Sequence, residues 1–339
     1  IAEYAPGAEV IAAKRVWTGG GLYKQPKKDW PVYHYAVCRA CGRFHRSAEA
    51  IGTVCPGCGS SFHDRRLCGT FIVPEFGFVA ARDSVRSPGE TRPQRLYASR
   101  VYFAEYAPPR RDGQSKSEPI FEPVPELSNE RMQVRKYYSR FGKLALVNAG
   151  VAGRGFLICQ SCGYAEIAPE PSPPGARRRS GPTTHKHPRT GRDCTGYRQR
   201  HHLGHEFLTD VTELRFTGLL ALHAEEKLWR SLVYALLEGA AQALEIRRDD
   251  LDGTFYRHSG TPAVVLFDNV PGGAGHVRRI AESVVPVVHA AYQRVNNECC
   301  GPETSCYECL RNFYNQPYHE DLRRGLVRDF LRSMLANIV

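Results

Sequence analysis

Eleven of the twelve cysteines in this sequence of 339 residues fall into three groups whose spacing suits metal binding. The recurring unit is a pair of cysteines separated by two residues, because a tight turn of that length directs both sulfurs at one ion. Secreted disulfides are the alternative, but the opening segment IAEYAPGAEVIAAKR lacks the basic-then-apolar layout of a signal peptide. We therefore expect reduced thiols in a cytoplasmic protein.

The first group has the zinc-ribbon arrangement, with two cysteine pairs joined by a short connection. Its members are Cys38, Cys41, Cys55 and Cys58, and a glycine follows the second thiol of each pair. Four thiolates close a tetrahedral zinc site without an open position, so we expect a structural ion rather than a catalytic one. Cys68 lies outside the pattern, and we interpret it as a core residue.

The second group begins with Cys159 and Cys162 and continues beyond a long basic insertion, where Cys194 supplies a third thiol. A histidine completes a Cys3His set, and we favour His185 slightly over His187. Three histidines further along the chain remain alternatives: His201, His202 and His205.

The third group places Cys299, Cys300, Cys306 and Cys309 within eleven residues. The last three can share one ion readily, and Cys299 is the natural fourth ligand, with His319 as its competitor. A catalytic cysteine would be a lone, activated thiol beside a base, whereas this group resembles a closed cage. We expect zinc to replace a hydrophobic core at a junction between helices, where its binding free energy becomes folding free energy.

Catalytic motifs are missing from the sequence. It contains no GxxxxGK[ST] phosphate loop, no GxSxG and no HExxH, so we expect no ATP hydrolysis by this chain alone. The segment FDNVPGGAGH (267–276) is a candidate phosphate site, because backbone N–H groups at a helix start attract anions. Close packing of helix and strand explains the same glycines equally well. A nuclease using His276 with Asp268 is the weakest of our hypotheses.

The formal charge of +11 favours a polyanionic partner, and nucleic acid is the commonest one. Basic residues cluster in the insertion of the second group and near the C-terminus, and aromatic residues lie close to both. Such a mixture suits a single strand, because cations follow the phosphates while rings stack on bases. The candidate nucleic-acid-binding residues are Arg177, Arg178, Arg179, Lys186, Arg189, Arg198, Arg311, Tyr314, Arg323 and Arg324.

The hydrophobic pattern predicts an α+β fold in three regions. Residues 1–118 read as a β-rich region with the zinc ribbon, and 119–215 as a strand-rich region with the second group. Residues 216–339 read as an α/β module with long C-terminal helices, one at 219–246, one that Pro286 kinks or splits, and one from His319 onward. No apolar run is long enough to span a bilayer.

Several phrases together resemble a known family. IAEYAPGAEV, FDNVPGGAGHVRRI and CCGPETSCYECLRNFYNQPYHEDLRRG are similar to the C-terminal zinc-binding (MZB) module of certain superfamily 2 DNA helicases. That module is named for the MrfA repair helicase and also occurs in DrmB, the helicase-associated subunit of the DISARM anti-phage system. The resemblance implies zinc held by Cys299 or Cys300 with Cys306 and Cys309, and a bacterial, intracellular role in DNA binding or helicase assembly. In that family a residue usually separates the first two ligands, which makes Cys300 the safer choice here.

Our leading hypothesis is a non-catalytic, DNA-binding accessory region of a helicase, stabilised by two to three structural zinc ions. Its DNA would be single-stranded or a junction of single strand and duplex, and its helicase would be the same chain or a separate subunit. Anti-phage defence or DNA repair is the expected setting. The alternative hypothesis is a protein-interaction scaffold whose apolar helix at 219–246 docks a helicase subunit.

Overall fold

The computed structural model describes residues 1–62, 67–82, 84–90, 93, 96–97, 99–106, 119–170, 184–218, 221 and 225–336. Its strands are β1 (Glu9–Ala12), β2 (Arg15–Leu22), β3 (Val32–Val37), β4 (Phe44–Ser47), β5 (Cys68–Ile72), β6 (Phe78–Ala80), β7 (Arg100–Tyr106), β8 (Glu122–Pro123), β9 (Gln133–Asn148), β10 (Phe156–Cys159), β11 (Ala165–Ile167), β12 (His185–Lys186), β13 (Asp193–Cys194), β14 (Arg198–Thr217), β15 (Leu251–His258) and β16 (Thr261–Asp268). Its longer helices are α1 (Glu226–Leu244), α2 (His276–Glu282), α3 (Val284–Val295) and α4 (Arg324–Leu335).

A single long strand, β14, organises the main sheet. Its first residues pair with β10 and, in parallel, with β5, whereas its later residues pair with β9 and β16. The burial of residues 209–214 on β14 is nearly continuous, as expected for a strand covered on both faces. Strands from all three predicted regions join this sheet, which connects the surroundings of the first two cysteine groups to the C-terminal helices.

The helical module is built around α1, whose side chains from Leu228 to Leu237 are mostly buried. Gly239 allows α1 and α3 to approach closely, since a Cβ there would lie 2.5 Å from the carbonyl oxygen of Val287. Broad apolar burial of this kind gives most of the stability of such helices. In the described part of the segment that the alternative hypothesis names, α1 packs most of its side chains into its own core, which argues against α1 as the docking helix.

Pro286 splits the second helix, as predicted. The break lies at Ser283, and Pro286 occupies the first turn of α3. Proline has no N–H to donate to the carbonyl four residues earlier, and its ring clashes with that carbonyl, here Glu282 at the end of α2. The last helix starts at Arg324, five residues later than the sequence suggested, because a short 3-10 turn at Gln316–Tyr318 precedes it.

The α+β class is confirmed, with a strand-rich body and helices concentrated after residue 225. None of the helices in the described part of the chain combines the length and apolarity that crossing a bilayer requires. The division at residues 118 and 215 stays a prediction, and the expected linker around 108–118 lies outside the described residues.

Candidate metal centres

Three groups of metal-ligating side chains converge in the structure, and in each the four ligand atoms lie within 4.8 Å of one another. We name them the ribbon cluster (Cys38, Cys41, Cys55 and Cys58), the hairpin cluster (Cys159, Cys162, His185 and Cys194) and the junction cluster (Cys299, Cys300, Cys306 and Cys309). The donor atoms are thiols and an imidazole, which zinc prefers in structural sites. The clusters are compatible with two to three structural zinc ions.

The ribbon cluster takes Cys38 and Cys41 from the turn between β3 and β4, and Cys55 and Cys58 from a second turn after β4. The N–H of Gly42 donates to the carbonyl of Cys38 at 2.6 Å, and Gly42 has a φ of +71°, which favours glycine. Gly59 makes the same bond to Cys55 at 2.9 Å, so the two cysteine pairs occupy equivalent turns. Both turns present their sulfurs inward from opposite sides.

Sulfur separations in the ribbon cluster match the size of a zinc ion. Cys38 Sγ lies 3.5 Å from Cys58 Sγ, and Cys41 Sγ lies 3.8 Å from Cys55 Sγ. A tetrahedron with Zn–S arms of about 2.3 Å has edges of about 3.8 Å. The four sulfurs therefore surround a space suited to one tetrahedral ion, without protein groups having to move far.

The hairpin cluster takes its two later ligands from a small hairpin of β12 and β13. His185 and Cys194 are directly opposite each other in that hairpin, so one cross-strand pair presents both donors. His185 Nε2 lies 3.2 Å from Cys162 Sγ, and Cys194 Sγ lies 3.9 Å from Cys159 Sγ. This pairing explains how ligands separated by a long insertion reach one point.

The four alternative histidines contact groups other than the thiols of the hairpin cluster. The Nδ1 of His187 accepts hydrogen bonds from the backbone of Arg189 at 3.1 Å and of Thr190 at 3.3 Å, which closes the turn of the hairpin. His201 Nδ1 lies 3.0 Å from the hydroxyl of Thr70, and His202 Nδ1 lies 2.6 Å from that of Tyr35. His205 packs edge-on against Phe207. The structure thus brings His185 alone of these residues to the thiols.

The junction cluster lies between the end of α3 and the start of α4. Adjacent Cys299 and Cys300 both point into it, with their sulfurs 3.9 Å apart. Cys309 Sγ lies 3.8 Å from both Cys300 Sγ and Cys306 Sγ. His319 stays outside the cluster, because its Nε2 lies 2.9 Å from Asn315 Oδ1 and 3.2 Å from the carbonyl of Asn312.

Arg324 holds the backbone that carries the first two cysteines of the junction cluster. It is 4% exposed, and its guanidinium donates to the carbonyls of Val295 at 3.0 Å, Asn297 at 2.5 Å and Cys300 at 2.7 Å. These bonds fix the chain that carries the first two cysteines against the first residue of α4. Arg324 is therefore withdrawn from the surface on which the sequence analysis placed it.

The thiols of each cluster require a nearby positive charge when they are deprotonated. Burial raises the pKa of Cys41, Cys162 and Cys299 well above the usual thiol range. Thiolates this close repel one another, so the deprotonated set needs a nearby positive charge, which a divalent ion supplies on binding. Each set is complete with four donors, which makes the sites structural.

One contact of the ribbon cluster was not foreseen from the sequence. His45, on β4, places its Nε2 at 3.2 Å from Cys55 Sγ, and burial lowers the pKa of His45. A neutral imidazole protonated on Nε2 donates to the sulfur and orients it, as outer-shell groups commonly do in metal sites. Its only sequence signal was a histidine four residues after Cys41.

The substitution Gly196→Ala tests the hairpin cluster. A Cβ at Gly196 would lie 2.7 Å from Cys159 Sγ, which is closer than real side chains approach. We expect the variant to lose zinc from one site and about 1–3 kcal/mol of stability. Gly52→Ala is the matched control, because a Cβ there meets nothing within 4 Å. Zinc content and thermal melting measure both effects, and unchanged values for Gly196→Ala would contradict the placement.

The backbone N–H groups of the glycine-rich loop before α2 already donate hydrogen bonds to two carboxylates of the protein. The buried carboxylate of Asp268 accepts hydrogen bonds from the backbone of Ala274 at 2.6 Å, His276 at 3.1 Å and Val277 at 2.9 Å. Asp210 accepts from Gly275 at 3.2 Å and lies against Gly273. These carboxylates occupy the N–H groups that a phosphate would need.

The same hydrogen bonds argue against the nuclease hypothesis, which pairs His276 with Asp268. Asp268 is fully buried and bonded to the backbone, whereas the ring of His276 lies 4.0 Å from a different carboxylate, Asp250. An acid or base must reach the proton that it transfers, and Asp268 reaches only amides of its own loop.

The candidate nucleic-acid-binding residues are distributed unevenly. Lys186 and Arg198 form ion pairs with Asp193 and Glu166, at 2.6 and 2.5 Å. Arg189 is exposed and lies over the ring of Tyr23 at 5.0 Å. The insertion arginines Arg177, Arg178 and Arg179 lie outside the described residues.

The C-terminal candidates are more engaged with the protein. Arg311 donates to the hydroxyls of Ser305 at 3.1 Å and Thr304 at 3.4 Å, beside the junction cluster. Arg323 donates to the carbonyl of Glu320 at 2.7 Å. Tyr314 is 47% exposed.

Three exposed residues close in sequence to the hairpin cluster lie outside the set of candidates named from the sequence. Arg192 and Arg200 are exposed, and Tyr197 between them is 73% exposed. Arg189 and Arg192 lie between β12 and β13, whereas Tyr197 and Arg200 lie where the chain passes the strand that carries Cys159. We call these four residues the hairpin surface.

Comparisons with known proteins support the zinc assignment. Residues 232–310 match the family described as MZB, the MrfA Zn-binding domain. Druantia protein DruE of Escherichia coli (strain UMEA 4076-1) is 27% identical over 380 aligned residues, which cover 100% of this chain and 19% of DruE. The chain thus spans about a fifth of the length of that relative.

Solved structures of the DUF1998 helicase MrfA give weaker similarity. A crystal structure of MrfA bound to DNA aligns with 76% of this chain and 28% of MrfA, at 13% identity and a TM-score of 0.38. The structure bound to DNA and AMPPNP aligns with 75% of this chain and 25% of MrfA, at 11% identity and a TM-score of 0.29. The matched segment 232–310 contains all four thiols of the junction cluster, so the part of the chain that is similar to the MrfA Zn-binding domain is the part that holds this cluster.

Proposed function

We propose that this chain is a zinc-stabilised, DNA-binding accessory region of a superfamily 2 helicase or of a subunit that works with one. Its twelve cluster residues act as ligands of structural zinc, and single-stranded DNA or a junction with duplex is its substrate. The helicase motor lies elsewhere, in the same polypeptide or in a partner. Bacterial anti-phage defence or DNA repair, in the cytoplasm, is the setting that the resemblance of the sequence implies.

The observation that carries the proposal is the hairpin surface. Arg189 and Arg192 are exposed in the short hairpin whose two strands supply His185 and Cys194 to one cluster, and Tyr197 and Arg200 are exposed just beyond it, at the start of β14. An ion at that point would fix the hairpin against the turn of Cys159 and Cys162, so its two arginines would be held in place before a strand arrives. Cations that neutralise phosphates and a ring that stacks on a base are the two components of single-strand binding.

Two further facts support the proposal. The net charge of +11 favours association with a polyanion. The MrfA-type domain at 232–310 connects the chain to a protein whose solved structures describe it as a helicase. The similarity to a Druantia protein does not bear on the DISARM assignment, which stays a prediction.

Binding of single-stranded DNA should be strongly salt-dependent. We expect affinity for a labelled oligothymidylate to fall by about 0.7 decade per phosphate contact for each decade of salt. The double variant Arg189→Glu with Arg200→Glu should lower affinity about tenfold or more and reduce that slope by about 1.4. Fluorescence anisotropy over a salt series measures both quantities.

Arg131→Glu is the control, because Arg131 is exposed far along the chain from the hairpin surface. It should change affinity less than the double variant at every salt concentration. Absence of binding by the wild type, or binding independent of salt, would contradict the proposal. Stable capture of a purified helicase without DNA affinity would instead support the scaffold hypothesis, through a surface other than α1.

A further inference from the structure

A cleft of about 490 Å³ separates the ribbon cluster from the helical module. One wall is the first cysteine turn, residues 38–42, together with the start of β7. The other wall consists of α1 and β15, and Tyr318 closes one end. The volume lies within the range of about 300–1,000 Å³ that small-molecule sites occupy. The cleft shares Cys38 with the ribbon cluster, but none of the residues of the hairpin surface lines it.

The mouth of the cleft is cationic. Arg39 and Arg100 are exposed there, and Arg257 lies on the facing strand. Two carboxylates, Glu226 and Asp252, also line the cleft. Glu226 lies 2.7 Å from Arg230, so that ion pair is internally balanced. The lining holds four arginines, Arg39, Arg100, Arg230 and Arg257, against these two carboxylates, so the cleft has a net positive field, which attracts an anionic group.

Flat rings line the interior. Arg230 lies over the rings of Tyr318 at 4.5 Å and Phe255 at 5.3 Å, which holds that part of the wall in place. Burial raises the pKa of Tyr102 and Tyr318, with Arg100 opposing the shift at Tyr102. Both phenols are therefore neutral near pH 7, and they add no negative charge to the cleft.

Two polar groups that line the cleft lack hydrogen-bond partners. The indole Nε1 of Trp229 has none, although Trp229 is only 1% exposed. The hydroxyl of Ser99, on the opposite wall, has none either. Both atoms are buried, so these groups belong to the packed wall of the cleft rather than to its accessible surface.

We propose that this cleft receives one unpaired nucleotide of a nucleic-acid strand. The base lies against the aromatic wall that includes Tyr102 and Tyr318, while its phosphate lies near Arg39 and Arg100. A nucleotide combines a flat ring with a single anionic group, which suit the aromatic wall and the arginines of this cleft. The inference rests on the proposed DNA binding, but it concerns a different surface and a different step, the capture of one base.

Photochemical crosslinking locates the base. An oligothymidylate carrying one 5-iododeoxyuridine is irradiated with the purified protein, and the crosslinked peptides are sequenced. We expect crosslinks in the peptides that contain Tyr102 or Tyr318. Crosslinks confined to residues 184–200 would overturn the cleft proposal, although they would leave the hairpin surface intact. Absence of both crosslinking and binding would instead contradict the proposed function itself.

The substitution Arg100→Glu measures how much the arginines at the mouth of the cleft contribute to affinity for the strand. We expect a loss of about tenfold or more in affinity for the oligothymidylate, as for a lost stacking site. Arg15→Glu, an exposed arginine on β2 away from the cleft, should stay within about twofold of the wild type. If Arg100→Glu loses zinc or melts early, Arg39→Glu replaces it. Equal affinity of either folded mouth variant and the wild type would overturn the proposal.

Free thymidine monophosphate distinguishes a strand from a soluble nucleotide. The strand proposal predicts that this compound competes only at concentrations far above those of the oligonucleotide, because neighbouring phosphates contribute to strand affinity. Competition at equal concentrations would identify a free nucleotide as the occupant and overturn the strand proposal.

Discussion

Replacing Cys309 by serine should unfold the helical module rather than weaken it slightly. Cys309 is fully buried and its sulfur is within 3.8 Å of two other cluster sulfurs. Structural zinc sites contribute on the order of 10–16 kcal/mol, whereas whole domains are stable by only about 5–15 kcal/mol. We therefore expect loss of one zinc per chain and loss of the cooperative melting of α1, α3 and α4, measured by elemental analysis and circular dichroism.

Cys68→Ser is the matched control for this experiment. Cys68 lies on β5 and belongs to none of the three clusters. The control should keep its metal content and lose little stability, since surface or half-buried substitutions usually cost less than a kilocalorie or so. If Cys309→Ser retained the metal content and the melting profile of the wild type, the junction cluster would not be a zinc site.

Arg324→Met should produce the second largest effect. Methionine has a similar length but donates nothing, so the carbonyls of Val295, Asn297 and Cys300 lose their shared donor. An unsatisfied buried acceptor costs about 1–3 kcal/mol, and we expect a total of about 3–5 kcal/mol. Chemical denaturation measures the loss, and easier zinc removal by a chelator should accompany it.

Arg328→Met separates this role from a general effect of charge on α4. Arg328 lies one turn further along, paired with Asp329 at 2.8 Å near the surface. Such pairs contribute about 0–1 kcal/mol, so this variant should remain close to the wild type. A loss in Arg328→Met equal to that in Arg324→Met would argue against a specific support of the junction cluster.

The cysteine clusters could be predicted because their geometry is local. Two cysteines separated by two residues, with a glycine after the second, encode the turn at Cys38–Gly42 without reference to the rest of the chain. The hairpin cluster was harder, since His185 reaches the thiols only through its pairing with Cys194. Sequence spacing favoured His185 slightly over His187 and left three later histidines open, and the register of that hairpin selects His185.

Arg324 shows what sequence reasoning could not resolve. A run of arginines before an amphipathic helix reads as a basic surface, and nothing local separates Arg323 from its neighbour. Burial depends on where α4 docks against the end of α3, which is a tertiary property. The guanidinium then replaces water as the donor to three carbonyls that the cysteine-bearing loop leaves without partners.

Asp268 illustrates the same difficulty at the glycine-rich loop. Glycines before a helix predict free N–H groups, and a phosphate is one way to satisfy them. The structure satisfies them with a carboxylate from the end of β16, six residues upstream of the first amide that it binds. Only the fold shows that the anion belongs to the protein.

The metal content of the natively purified protein tests the central claim most directly. Elemental analysis should find two to three zinc atoms per chain, in keeping with the three clusters of four donors. Each thiol cluster would then be a closed structural site on which the hairpin surface and the cleft depend. Iron in place of zinc, or less than one metal atom per chain, would contradict the account.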